Sequence, residues 1–156
     1  MDPHTHFLFP FTVGLILNKL GIISWKLVLL CGIVGVIIDI DHYIEYVLHA
    51  KTNRDSRKGA WNNAIRFHRF EERSFIHHWQ GFLVLSLIFL VLFFFYRKIA
   101  LVLAIGYYSH ILLDYVHLRK EKFFSWKIGK LFMKGSYLEF VLDIILILAI
   151  VIILLV

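Results

Sequence analysis

The chain has 156 residues, 60% of them hydrophobic, with a mean hydropathy of +0.75 and a formal net charge of +6. Long continuous apolar runs recur, which a soluble domain of this length does not need, and the absence of alternation excludes barrel strands; a polytopic α-helical membrane protein of one domain, 1–156, is expected. The positive charge is read as membrane topology rather than nucleic-acid binding, and the single cysteine, Cys31, lies inside an apolar run and can form no intrachain disulfide.

Five apolar runs follow one another: Phe7–Leu17, Leu27–Ile38, Trp79–Tyr96, Ile99–Val116 and Tyr137–Val156. The first six residues carry no Lys or Arg and no small-residue cleavage site follows, so no signal peptide is expected. The first two runs are short for a bilayer. Leu20–Ile23 and Tyr43–Leu48 can lengthen them, and together they predict a helical hairpin. If every run crosses or deeply enters the membrane, one face keeps Lys19, Lys26, Arg97, Lys98 and the C-terminal end. The other face receives the remaining Lys and Arg and the histidines and carboxylates. The positive-inside tendency puts that second face in the cytoplasm.

The N-terminal Asp2-Pro-His4-Thr-His6 brings two imidazoles to the start of the first run. At the end of the second run stands Asp39-Ile-Asp41-His42-Tyr-Ile-Glu45. If the helix continues, Asp39 and His42 share a face, as do Asp41 and Glu45. Two carboxylates this close cannot both stay ionised in lipid without a cation between them. A divalent metal supplies one, whereas a helix cap would explain one aspartate and not the set.

Residues 49–77 are the long polar stretch. Trp61, Ile65 and His68 fall at helical spacing with Arg66, Arg69 and Arg73 around them, which predicts an amphipathic helix on the bilayer surface. That helix can present His68, Arg69 and Arg73 to an anionic head group. Arg73-Ser-Phe-Ile-His77-His78 opens the third run. Adjacent histidines on a helix point about 100° apart; His77 is favoured as a ligand, with His78 kept for substrate contact.

Within the fourth run, His110 and Asp114 stack on one helix face and His117 continues it. This pair can bind one ion together, or the Asp can orient the His. Residues 120–136 place Phe124, Ile128 and Leu131 on one side and Lys127, Lys130 and Lys134 on another, predicting a second interfacial amphipathic helix. Asp143 sits six residues into the last run.

His6, Asp39, Asp41, His77, His110 and Asp114 thus form the candidate metal set. Three ligands and an open position make a catalytic zinc site, and six ligands suffice for two ions. Imidazole and carboxylate without thiolate suit zinc, with manganese or iron as alternatives.

The ordered set Thr-His6, Asp-Ile-Asp-His at 39–42, Arg-x-x-x-His at 73–77 and Ser-His-x-x-x-Asp at 109–114 resembles that of the YdjM-like inner-membrane proteins, described as membrane-bound metal-dependent hydrolases. The resemblance covers residues 5 to 116. Ile38 stands where the family usually has Pro, and His68-Arg69 is an alternative match to the family's His-Arg pair. Through a distant likeness to zinc-dependent phospholipase C, the resemblance implies a phosphoesterase acting on a lipid or lipid-linked substrate. In that role Asp41 or Glu72 would be the general base. Arg69 and Arg73 would hold phosphate oxygens, with His42, His68 and His78 around the substrate. A metal-ion carrier and a membrane protein with a structural metal are the rival expectations; haem ligation is weaker, since haem needs few carboxylates.

Overall fold

The computed structural model describes residues 3–40, 75–117, 123–128 and 131–156. Five helices carry the described fold: α1 Pro3–Lys19, α2 Trp25–Ile37, α3 Trp79–Phe95, α4 Arg97–His117 and α5 Tyr137–Leu155, with a 3-10 turn at Phe75–His77 before α3. Each predicted run forms one helix. The surface helix expected over residues 60–73 lies outside the described residues.

Helix α1 starts on Pro3, which suits a first turn because its missing N–H would be unpaired there anyway. It ends in a Schellman turn. Ile22 N donates to Leu17 O and Gly21 N to Asn18 O, both at 2.9 Å, with Gly21 at φ +72° in the left-handed region. The Asn18 amide donates to Ile23 O at 2.8 Å and closes the loop into α2. The expected hairpin of the first two runs is therefore present.

Two expectations fail. Helix α2 does not continue through the Asp39 region: it ends at Ile37, and Asp39 N turns back to Val36 O. Asp39 therefore stands in a turn after α2, and His42, expected to share its face, lies outside the described residues. The interfacial helix expected over 120–136 is instead an antiparallel hairpin. Strand β1 Phe123–Ile128 pairs with β2 Leu131–Ser136, from Phe123 opposite Ser136 to Ile128 opposite Leu131. Phe123, Phe124, Trp126, Ile128 and Phe132 favour strand, and Gly129 and Gly135 disfavour helix. The i, i+4, i+7 spacing at these positions was coincidental.

Helix α1 is central, packing on α2, α4 and α5, while α4 also packs on α2 and α3. Leu15, Ile23, Val28, Cys31 and Val102 form the buried core at the end of the bundle away from His6. Much of the remaining apolar surface faces outward, as along α3 and α5. Helix α5, with a mean hydropathy of 3.1 over its best window, is long and apolar enough to cross a membrane; among the described residues α2 and α3 are shorter apolar helices.

Candidate metal centre

Helices α1, α2 and α4 each bring a candidate ligand to the same end of the bundle. Pro10 has no N–H to give the carbonyl of His6, four residues earlier in α1. Gly35 of α2 packs against that carbonyl and against the Pro10 ring, where a Cβ would overlap both. The close approach brings the end of α2, and Asp39 beyond it, beside the first turn of α1.

His6, Asp39, His110 and Asp114 each offer a ligand atom, all within 4.8 Å of one another. His6 and His110 are fully buried and their rings stack with centroids 4.0 Å apart. Asp114 Oδ1 lies 3.2 Å from His6 Nε2, and its Oδ2 lies 3.2 Å from His110 Nε2. Asp39 Oδ1 stands 3.5 Å from His110 Nε2. His77, carried on the 3-10 turn, adds a fifth group, its Nε2 at 3.0 Å from His110 Nε2 and 3.6 Å from Asp114 Oδ2. One shared proton or one shared cation accounts for two imidazole nitrogens at that separation.

The orientation of His110 is decided by its other nitrogen. Nδ1 donates to the Gly35 carbonyl at 2.8 Å, and a carbonyl can only accept. Nε2 is left to face two carboxylates, the usual way a metal-ligating histidine is held. His6 has no such backbone tether: among the described residues its buried Nδ1 has no hydrogen-bond partner, while its Nε2 faces the Asp114 carboxylate at 3.2 Å. A buried ring nitrogen without a partner is costly unless something else satisfies it.

These groups fit a divalent ion. Ligand atoms held at about 2.0–2.2 Å around a tetrahedral ion stand roughly 3.3–3.6 Å apart, and the four His–Asp separations, 3.2 to 3.6 Å, fall close to that spacing. The side chains of Asp39 and Asp114 are 29% and 25% exposed while both buried histidines are at 0%, so the cluster is closed on the imidazole side and open on the carboxylate side.

Of the six predicted ligands, His6, Asp39, His110 and Asp114 converge, and His77 lies against them. The choice between the adjacent histidines is made by the turn: His78 is the N-cap of α3 and exposed. Asp41, His42, His68, Arg69, Glu72 and Arg73 lie outside the described residues. His4, paired in the sequence with His6, faces away to Asp143, 2.7 Å from its Oδ2.

Sequence reasoning missed Gly35, whose carbonyl orients His110, and Tyr107, a buried phenol that donates to Ile76 O at 2.8 Å beside His77. A carbonyl leaves no mark in a sequence, and Tyr107 reads as one aromatic among many. A family model described as YdjM inner membrane protein matches residues 1–155. No curated protein and no solved structure matches the chain.

Proposed function

Since the chain belongs to the YdjM inner membrane protein family and gathers two histidines and two aspartates at one end of its bundle, we propose that it is a membrane-bound, metal-dependent hydrolase. Its substrate is a phosphoester in a lipid or lipid-linked molecule. The observation that carries this reading is the His6–Asp39–His110–Asp114 cluster, sealed behind by buried imidazoles and open at its carboxylates.

In this reading the helices form a polytopic bundle with the site at head-group level, facing the cytoplasm. A divalent ion, zinc by preference, would supply Lewis acidity for the phosphoryl group and lower the pKa of a water toward about 7. His6 and His110 would hold it from the protein side, and Asp39 and Asp114 would neutralise it. His77, 3.0 Å from His110 Nε2, would complete the set. Asp41 or Glu72 would serve as the general base, and Arg69 and Arg73 would hold phosphate oxygens through paired guanidinium contacts. His42, His68 and His78 line the approach of the head group. The apolar outer faces of the helices leave the substrate's tails in lipid.

The test is metal content and phosphate release from phospholipids and polyprenyl phosphates by the detergent-purified protein. Bound metal that disappears in His110→Ala and Asp114→Ala, together with turnover on one substrate class, is the expected result. A metal-free wild type defeats the metal centre; metal without turnover across the panel defeats the hydrolase and favours a carrier.

A further inference from the structure

Two carboxylates outside the metal cluster are buried on α5, Glu139 at 2% and Asp143 at 8% exposure, in a helix otherwise made of apolar residues beyond its first turn. Carboxylates at such positions are costly in lipid, so a helix that served as a plain anchor would not carry them. Four residues apart, they share one face of α5. That face meets the first turn of α1.

Asp143 grips two consecutive residues there. Its Oδ2 lies 2.7 Å from His4 Nε2, and its Oδ1 accepts from the Thr5 hydroxyl at 2.8 Å. Glu139 Oε1 lies 3.1 Å from the same hydroxyl. The start of α5 is itself fixed, because Glu139 N donates to Ser136 Oγ at 3.0 Å. Thr5 is fully buried, and the next residue is His6. Successive helical residues point about 100° apart, so one turn of α1 meets α5 through Thr5 and the metal cluster through His6.

His6 needs such a hold. His110 is oriented by the Gly35 carbonyl, but His6 has no backbone partner of that kind: its Nδ1 has no hydrogen-bond partner among the described residues, and its Nε2 faces the cluster itself, 3.2 Å from Asp114 Oδ1. With no hydrogen bond to the ring from outside the cluster, its placement depends on the backbone that carries it. We propose that Thr5, Glu139 and Asp143 are positioning residues for the metal centre, through which α5 sets the height and rotation of the first turn of α1 and so holds His6 opposite Asp114. The inference rests on the metal-centre reading above.

The full-length protein in detergent tests it, by zinc affinity from chelator competition and by the absorption spectrum of the cobalt-loaded form. Thr5→Val removes the hydroxyl at nearly constant shape. It is expected to weaken zinc binding about 10–100-fold, the usual effect of losing an outer-shell partner, and to change the cobalt spectrum. Thr5→Ser keeps the hydroxyl and restores both. Thr12→Val is the matched control. Thr12 is buried on the same helix but donates to Leu8 O within α1, so its loss lowers thermal stability and leaves zinc affinity and spectrum unchanged. If Thr5→Val is not recovered folded, Asp143→Ala is measured in its place against the same control.

A folded Thr5→Val or Asp143→Ala protein with wild-type affinity and spectrum overturns the proposal while leaving the metal centre standing. A Thr12→Val protein that loses zinc as severely overturns it too, by reducing the effect to general destabilisation. A wild type that binds neither ion removes the metal centre and this inference together.

Discussion

His110 shows how one side chain acquires a role from a neighbour that the sequence does not advertise. Its Nδ1 is held by the Gly35 carbonyl, and the Gly35 backbone can come that close because it lacks a Cβ. A methyl group on Gly35 would overlap the His6 carbonyl and stand 2.8 Å from Pro10 Cγ, so α1 and α2 would have to separate. Gly35→Ala should therefore cost about 1–3 kcal/mol of stability through overpacking and weaken metal binding as well. Gly32→Ala meets the outer edge of the Phe7 ring, a side chain that can turn aside. It should retain wild-type metal affinity. Thermal melts and zinc titrations of the pair check this, and equal affinities in the two variants would remove Gly35 from the site.

The donor types themselves were readable at this scale. His6, Asp39, His110 and Asp114 stood out as ionisable groups bordering apolar runs, where solvation cost makes such residues functional by default. The partners that orient them were not readable, because they are a backbone carbonyl and residues far along the chain. Asp143 was noticed as an isolated intramembrane charge; its spacing from Glu139 on an apolar helix was the signal for a shared face. Its bonds to α1 decide its meaning.

Among the elements, the 3-10 turn Phe75–His77 is the junction on which the fifth group depends. Tyr107 on α4 donates to Ile76 O, and a Cβ on Gly81 would run into the Phe75 carbonyl. The turn is thus clamped to α3 and α4 on both sides of Ile76. Tyr107→Phe removes one hydrogen bond to a carbonyl in a partly buried setting, worth about 1–3 kcal/mol. It should free His77 without moving His6 or His110, so zinc affinity should fall by less than about 10-fold. Combining it with His77→Ala should add little further loss, and fully additive losses would separate Tyr107 from His77.

Helix existence followed from run length and continuity, while helix ends and the hairpin did not. Asp39 lies in a turn because α2 stops at Ile37; periodicity predicts a face only while the helix lasts. Between residues 123 and 136, aromatic and β-branched residues with two glycines outweighed an apparent helical spacing. Local preference and strand pairing decided the matter, and pairing is a contact between residues that a period count treats separately.

At the scale of the molecule, α1, α2 and α4 share one polarity. Each has a cluster residue at or just beyond one end (His6, Asp39, and His110 with Asp114) and exposed lysine or arginine at the other: Lys19, Lys26, and Arg97 with Lys98. From Lys98 to Asp114 the helix rises about 24 Å at 1.5 Å per residue, close to the roughly 30 Å of a hydrocarbon core. The proposed topology places the cationic end in the periplasm. With Cys31→Ser as background, Lys98→Cys should react with a membrane-impermeant maleimide added to intact cells, and Arg119→Cys should react after lysis alone. The reverse pattern would turn the site to the other side of the membrane.

Composition and run length by themselves determined that the five apolar runs are five helices and which side chains could bind metal, because burying or embedding so much apolar surface leaves few alternatives. The one-ended gathering of those side chains was also implicit in the alternation of the runs. Tertiary structure decided which of them meet. The contact of Gly35 with the His6 carbonyl, the choice of His77 over His78, and the attachment of α5 to Thr5 depend on distances between segments far apart in the chain, and a linear pattern carries no distances.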